Sequence, residues 1–473
     1  MCVVLVEEAD LASATSSGSS KLIHGGLRYL EHFEFRLVAE ALREREVLLR
    51  AAPHLVRPMR FIMPHAPGLR PAWVIRAGLF LYDWLARRHA LPASGAIRLD
   101  EPPYGAGLTS THTRGYIYSD CRVDDARLVL ANARAAVDLG ARILPRTKCV
   151  SAVREGRRWR ARLCGADGET QVVARALVNA TGPWAGEFLS SAANLQSGPR
   201  MRLIQGSHIT VPRLYDGEHA FILQNDDRRV VFVYPYEADY TLIGTTDVEV
   251  KGDPRTCMAS RTEIEYLCRA ANRYFQRQIA PADVLWSYCG VRALVDDGAR
   301  NPSATTRDYF LSVDGSAADA PILSVFGGKL TTYRRLAERA LEKLAPWFPE
   351  ATQPWTADIA LPGGEIPEGR VDNYVSGLVE RYPELPPALL KALVSRHGSR
   401  IADVLGPARK VADLGQSFGG HLYAREVDYF LACEWAAAPE DVLWRRTKAG
   451  LHLSKEQQAG LTQYIAAHRP VGL

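Results

Sequence analysis

The stretch VVLVEEADLASATSSGSSKLIHGGLRYLEH, residues 3–32, decides the fold. Val3–Val6 is a short apolar run ending in Glu7 and Glu8, the pattern of a buried parallel strand with an acidic tip. Asp10–Ser20 then turns small and polar, as a loop over a ligand does. Within Thr15–His32 hydroxyls and glycines let the chain approach a flat or phosphorylated ligand closely, and Lys21 and Arg28 bring positive charge. Taken alone, a Ser/Gly run is more often a flexible linker. Its place directly behind an acid-tipped strand points to a ligand loop. In a nucleotide-binding βαβ unit such an acid accepts hydrogen bonds from a ribose, and Glu7 or Glu8 is suitably placed.

Working outward, Phe35–Leu49 carries Leu37, Val38, Ala41, Leu42 and Leu48 in helical register, and Asp125–Leu139 reads as a second helix. The apolar strand Ala176–Ala180 runs into Thr181-Gly182-Pro183-Trp184, which is βα punctuation. Residues 202–247 are rich in strands, with Val230–Tyr234 and Tyr240–Gly244 as two arms of a hairpin. Pro321–Phe326 meets Gly327-Gly328 before a helix that starts near Thr332. There a strand, two glycines and a helix N-terminus aim backbone N–H groups at one point, suited to a flavin O2 or a phosphate oxygen, or else form a plain glycine turn. From about Trp355 the pattern is helical to the end, and Ser454 with Gln457 makes a capping box for the last helix.

With 473 residues, 47% hydrophobic and 23% charged, the chain has material for two or three domains. A net charge of +5 points only weakly to an anionic partner and does not indicate nucleic acid. The eight cysteines form no C-x-x-C pair, which argues against a zinc site and a disulfide framework and fits a reducing cytoplasm; no metal is expected. No stretch is long enough to span a membrane. Trp73–Arg88 mixes large apolar residues with arginines, and reads either as a surface resting on an anionic bilayer or as a buried helix with a basic edge. The basic run Trp444–Lys448 reads as a solvated or interdomain face.

Taken together these segments resemble the FAD-dependent, quinone-linked glycerol-3-phosphate dehydrogenases. The likeness runs from Val3 into the C-terminal region: SSKLIHGGLRYLEH, YSDCRVDDARLVLANA (118–133), VNATGPW (178–184), GSHITVP (206–212), LIGTTDVEVKGDP (242–254), GVRAL (290–294), TRDY (306–309), SVFGGKLTTYR (324–334) and LWRRTK (443–448). The resemblance implies an α/β fold: an FAD-binding doubly wound (Rossmann-like) domain with a β-rich substrate domain, plus a helical C-terminal domain. FAD-binding segments are expected at about 1–60, 118–200 and 285–350, with the substrate domain interleaved at 61–117 and 201–284, the oxidoreductase region ending at 354 and the C-terminal domain covering 355–473.

The activity so implied is oxidation of sn-glycerol 3-phosphate to dihydroxyacetone phosphate by hydride transfer to FAD, with electrons passed to membrane quinone, ubiquinone being expected. The protein would sit in the cytoplasm, peripherally on the cytoplasmic face of the inner membrane; a homodimer is left open. Proteins similar to this chain surround the substrate with Arg28, Tyr29, His208, Arg292, Arg307 and Lys329. Arginine forks match phosphate oxygens, so Arg292 and Arg307 are assigned the phosphate and Arg28 and Tyr29 the glycerol hydroxyls. His208 is preferred as base because its ordinary pKa is about 6.5, against about 10.4 for its rival Lys329; Arg292 completes the catalytic set. For the flavin the resemblance assigns Glu7 to the ribose, Ser16, Ser17, Lys21, His24, Gly25 and Gly26 to the isoalloxazine side, Thr181 and Gly182 to a second strand end, and Gly327, Gly328, Lys329, Leu330, Thr331 and Thr332 to a third.

One part of the family pattern is missing: a strand and G-x-G-x-x-G turn upstream of Val3, which would hold the flavin pyrophosphate. The expectation is a misplaced start, with residues 1–473 keeping the substrate site but lacking the pyrophosphate cradle. Two alternatives stay open: a flavin oxidase of the same fold using oxygen or another substrate, and a truncated, non-catalytic paralogue.

Overall fold

The structure is a computed structural model that describes residues 2–65, 70–86, 91–166, 168–196, 198–227, 229–296, 308–350 and 353–468. The chain opens with β1 (Val4–Val6), β2 (Leu22–Ile23), α1 (Phe35–Ala51), β3 (Val56–Pro64), α2 (Ala72–Ala86), β4 (Gly95–Arg98), β5 (Arg114–Val123), α3 (Asp125–Asp138) and β6 (Arg142–Leu144). A meander of β7 (Lys148–Glu155), β8 (Arg158–Gly165) and β9 (Gly168–Ala174) leads to β10 (Leu177–Asn179) and a helical turn, α4 (Ala185–Glu187). Then come β11 (Met201–Pro212), β12 (Ala220–Gln224), β13 (Val230–Tyr236), β14 (Tyr240–Gly244), β15 (Val248–Glu249), α5 (Arg261–Asn272), β16 (Trp286–Val295), β17 (Phe310–Asp314), β18 (Ile322–Phe326) and α6 (Tyr333–Leu344). The C-terminal region holds α7 (Val371–Arg381), α8 (Pro387–His397), α9 (Ile401–Leu405), a small hairpin of β19 (Ser417–Gly419) and β20 (Leu422–Tyr423), α10 (Ala424–Cys433) and α11 (Lys455–His468).

Ten strands make one sheet, in the order β15-β11-β14-β13-β12-β3-β5-β2, with β16 on β11 and β4 on β5. Because side chains alternate across a strand, Phe221 and Leu223 of β12 pack with Leu267 and Ala271 of α5 on one face, while Ala220 and Ile222 join Leu42 of α1 and Leu79 of α2 on the other. A capping box between Ser260 and Glu263 starts α5. The expected segment boundaries at 60/61 and 117/118 fall inside β3 and β5, two members of this one sheet.

Outside the ten-stranded sheet, where β12 meets β3 in parallel, parallel pairing of the kind a doubly wound part uses joins β1 with β6, and β10 with β18, which β17 flanks antiparallel. Contrary to a fully buried strand, Val4 and Leu5 are 36% and 40% exposed. Among the described strands β1 pairs with β6 alone, so the cover that a parallel strand takes from both sides is incomplete.

The C-terminal helices build two cores of their own, and ion pairs fasten them to the first half. Arg445 and the fully buried Arg446 pair with Asp10, Arg127 of α3 with Glu434 at 2.5 Å, and Lys448 with Asp124 at 3.0 Å. The basic run 444–448 is therefore an interdomain face. The last helix has its reciprocal cap, with the Ser454 N–H donating to Gln457 Oε1 at 2.8 Å and the Gln457 N–H to Ser454 Oγ at 3.3 Å.

The cysteine reading needs one correction. A disulfide joins Cys257 to Cys289, whose Cα atoms stand 6.2 Å apart. Sequence spacing hides it, because the two cysteines are 32 residues apart, Cys289 in β16 and Cys257 in the loop beyond β15.

Candidate active site

The segment Thr15–Tyr29 runs through the whole site. Its first part lies on β16: Thr15 Oγ1 donates to the Val291 carbonyl and the Tyr288 hydroxyl donates to the Ser19 carbonyl, each at 2.9 Å. A Cβ on Gly290 would stand 2.4 Å from the Gly18 carbonyl oxygen, so backbone meets backbone only because both positions are glycine. Lys21 is buried, its ammonium 2.8 Å from Asp125 and 2.9 Å from the Ser17 carbonyl. Asp125 also accepts from Ser19 Oγ at 2.7 Å. These contacts brace the loop. Ser16 is exposed on the same loop.

His208 sits in β11 between Tyr288 of β16 and Gly244 of β14. Its ring stacks on Tyr288 at 4.8 Å and 7°. On the other side a Cβ on Gly244 would come 1.9 Å from His208 Cδ2. His208 Nε2 shares a 2.9 Å hydrogen bond with Ser20 Oγ, and Nδ1 is buried with no hydrogen-bond partner among the described residues. Burial first, then the nearby Arg292 and Lys21 charges, hold the imidazole well below its ordinary pKa, so it is neutral. Arg292 is oriented by Asp247 Oδ1 at 2.5 Å and Thr245 Oγ1 at 3.1 Å. It lies against Gly206, where a Cβ would meet the guanidinium at 2.5 Å.

The third group joins His24-Gly25-Gly26 to the turn behind β18. The His24 N–H donates to Thr331 Oγ1, and that hydroxyl lies 3.3 Å from the His24 carbonyl as well. The Gly25 N–H donates to the Tyr82 hydroxyl at 2.8 Å; Tyr82 in turn donates to Asp120, which pairs with Arg45 at 2.8 Å. Gly26 takes a φ of 79° over the Tyr29 ring, and Lys329 Nζ stands 3.8 Å from the centre of that ring. Arg28 is half-buried on the same turn, Leu27–His32. Arg307 lies outside the described residues.

Gly327 and Gly328 have φ of 77° and 109°, and Leu330–Thr332 form a turn that opens α6 with no side chain capping either start. Thr332 Oγ1 is buried and has no hydrogen-bond partner among the described residues. Beside them, Asn179 at the end of β10 is paired in register with Ser324 of β18, so Thr181-Gly182 and Gly327-Gly328 leave adjacent parallel strands. Gly182 has a φ of 60° with open space where a Cβ would be. Uncapped N–H groups, an orphaned hydroxyl and close-approach glycines at two neighbouring strand ends fit a flat cofactor with ring oxygens, such as a flavin. At the tip of β1, Glu8 is held by Lys148 at 3.2 Å and Arg255 at 3.0 Å, whereas Glu7 accepts from the Ala9 N–H and is raised in pKa by burial. Of the two acids Glu7 is the better ribose candidate.

Sequence reasoning missed the supporting residues: Asp120, Asp125, Tyr82, Asp247, Gly244 and Tyr288. Asp120 and Asp125 of YSDCRVDD, lying within a motif but without local chemistry of their own, were the available signal.

Residues 1–334 match the family model described as FAD dependent oxidoreductase, and residues 354–468 the model described as C-terminal domain of alpha-glycerophosphate oxidase. A glycerol-3-phosphate dehydrogenase of Pseudomonas aeruginosa is 52% identical over 99% of this chain and 91% of its own length. The aerobic glycerol-3-phosphate dehydrogenase of Escherichia coli is 49% identical over 99% and 93%. A D-erythritol 1-phosphate dehydrogenase of Brucella abortus is 48% identical over 98% and 92%. Among solved structures, a glycerol-3-phosphate dehydrogenase from Bacillus halodurans complexed with FAD superposes with a TM-score of 0.72 at 23% identity, covering 99% of this chain and 89% of that one, a likeness of fold.

Proposed function

Because the chain belongs to the family of FAD-dependent oxidoreductases, in the branch of the glycerol-3-phosphate dehydrogenases, we propose that it oxidises sn-glycerol 3-phosphate to dihydroxyacetone phosphate and delivers the electrons to a membrane quinone. The observation that carries this reading is a neutral, buried His208 on the same sheet as the oriented guanidinium of Arg292. When bound, FAD supplies the hydride acceptor. The residues to hold it are Glu7 at the ribose, Ser16, Ser17, His24, Gly25 and Gly26 along the ring, and Thr181, Gly182 and Gly327–Thr332 at the strand ends. Lys21 serves by bracing the loop.

His208 takes the proton of the substrate's secondary hydroxyl, Arg292 and Arg307 bind the phosphate dianion, and Arg28 and Tyr29 orient the glycerol end. A proton acceptor in neutral form next to a cation that fixes the phosphate is what alcohol oxidation requires of the protein. Lys329, over the Tyr29 ring, is the rival base.

Membrane delivery is supported by α2. Ile75, Leu79 and Tyr82 face the core, while Trp73, Phe80 and Trp84, spaced seven and four residues apart along one face, are 74%, 72% and 69% exposed. Trp at a water–lipid boundary combines an apolar ring with a polar N–H. This helix packs on the Arg28–Tyr29 turn. Arg87 and Arg88, expected to extend its basic edge, lie outside the described residues. No helix among the described residues is long and apolar enough to cross a membrane.

The erythritol-phosphate relative favours a second reading, oxidation of a longer polyol phosphate at the same site. Anaerobic titration of the flavin-loaded protein decides between them. Bleaching of the flavin absorption by glycerol 3-phosphate at lower concentration than by D-erythritol 1-phosphate is expected, and the reverse order overturns the substrate assignment. Peroxide release in air would replace quinone by oxygen. His208→Gln should slow reduction about 10²–10⁴-fold with flavin still bound; an unchanged rate transfers the base role to Lys329.

A further inference from the structure

A row of stacked rings connects the C-terminal domain to His208. Trp444, in the turn Asp441–Arg446, stacks on Trp286 with centroids 4.7 Å apart and planes 13° apart. Trp286 meets Tyr288 at 4.8 Å and 36°, and Tyr288 stacks on His208 at 4.8 Å and 7°. Trp286 and Tyr288 are two residues apart on β16 and therefore lie on one face, and Tyr288 is the cross-strand neighbour of His208 on β11. We propose that Trp444 is a positioning residue for the reaction: through Trp286 and Tyr288, the C-terminal domain sets the plane of the imidazole that takes the substrate's proton. This rests on the reading of His208 as base.

The row is anchored at both ends. At the outer end Arg445 and Arg446 are tied to Asp10, Lys448 to Asp124, and the Leu451 carbonyl to the Tyr240 hydroxyl at 2.7 Å. Gly450 lies so close to the Trp444 ring that a Cβ there would stand 2.5 Å from it. At the inner end Ser20 holds Nε2, and Gly244 leaves just enough room on the far face of the ring. Along the imidazole plane the hydrogen bond to Ser20 sets direction. Tilt of that plane is limited by the stack on one face and the Gly244 backbone on the other, so a gap at Trp444 frees Trp286, then Tyr288, then His208 to tilt toward the stack. A small misplacement of a reacting group is expensive in rate while leaving substrate binding almost untouched.

The test compares Trp444→Leu, which fills space without stacking, with Trp444→Phe, which stacks. In the flavin-loaded protein, Trp444→Leu should remove the exciton signal of the Trp444–Trp286 pair from the circular dichroism spectrum. It should slow anaerobic flavin reduction by glycerol 3-phosphate about tenfold at saturation, with the half-saturating concentration within about twofold of the parent. Trp444→Phe should restore most of the rate, and Trp444→Met replaces the leucine variant if that does not fold. A parent-like rate in the leucine variant, or a phenylalanine variant no faster than it, overturns the proposal. In a His208→Gln background Trp444→Leu should cost nothing more. A further tenfold loss there overturns the route through His208 while sparing the base assignment, whereas a parent-like rate for His208→Gln alone removes the base assignment and this proposal with it.

Discussion

Gly244 shows how a residue without chemistry decides where a candidate base sits. Its missing side chain is the space that the His208 ring occupies: a Cβ there would stand 1.9 Å from His208 Cδ2. Gly244→Ala must therefore push the ring toward Tyr288 or move β14. Overpacking of this kind costs about 1–3 kcal/mol. The expected outcome is a lower melting temperature together with slower flavin reduction, and a variant matching the parent in both would mean that the ring has room elsewhere. His208 itself stood out in GSHITVP, because a histidine is the side chain whose ordinary pKa suits a base near neutrality. Its partners Ser20 and Tyr288 did not, since Tyr288 reaches it by strand register and Ser20 by a loop 188 residues away in the chain.

Between elements, the interface of α3 with the C-terminal helices carries a pH dependence. Burial, reinforced by Arg127, His397 and Arg57, depresses His54 to about 3, and burial also lowers His397. Both are therefore neutral in the folded protein at neutral pH, whereas the unfolded chain takes up protons below about 6.5. Above that pH they contribute no pH dependence. As pH falls below it, stability is lost at about 1.4 kcal/mol per unit for His54, continuing toward pH 3, and His397 adds a loss of the same sign. Thermal unfolding followed from about pH 7.5 to 5 should show a falling melting temperature, and His54→Gln should flatten it. An equally steep decline in that variant would place the effect elsewhere. The elements themselves were readable where signals are local: the cap at Ser454, the glycine pair after β18 and the hairpin of β13 and β14 all appear where the pattern places them. The depth of β1 was not, since exposure depends on what pairs beside it.

At the scale of the whole molecule, α2 leaves Trp73, Phe80 and Trp84 exposed. Replacing Trp73, Phe80 and Trp84 together by serine should abolish sedimentation with anionic phospholipid vesicles while leaving anaerobic reduction by glycerol 3-phosphate near the parent rate. Vesicle binding that survives the triple change would assign attachment to another surface. Trp73–Arg88 had two readings in sequence because a helix with apolar residues all round does not say which side the core takes; packing of Ile75, Leu79 and Tyr82 against the sheet decided it.

By itself the sequence determined the family, the helical C-terminal region and the glycine turns, because strand period, caps, turn residues and motifs are carried by neighbours in the chain. Only the tertiary structure decided that Lys21 braces a loop, that Cys257 meets Cys289, that Arg446 is buried on Asp10, and that Trp444 stands at the end of a stack reaching His208. Those contacts join residues far apart in the chain, and their geometry is set by sheet register and domain docking, which no local pattern encodes.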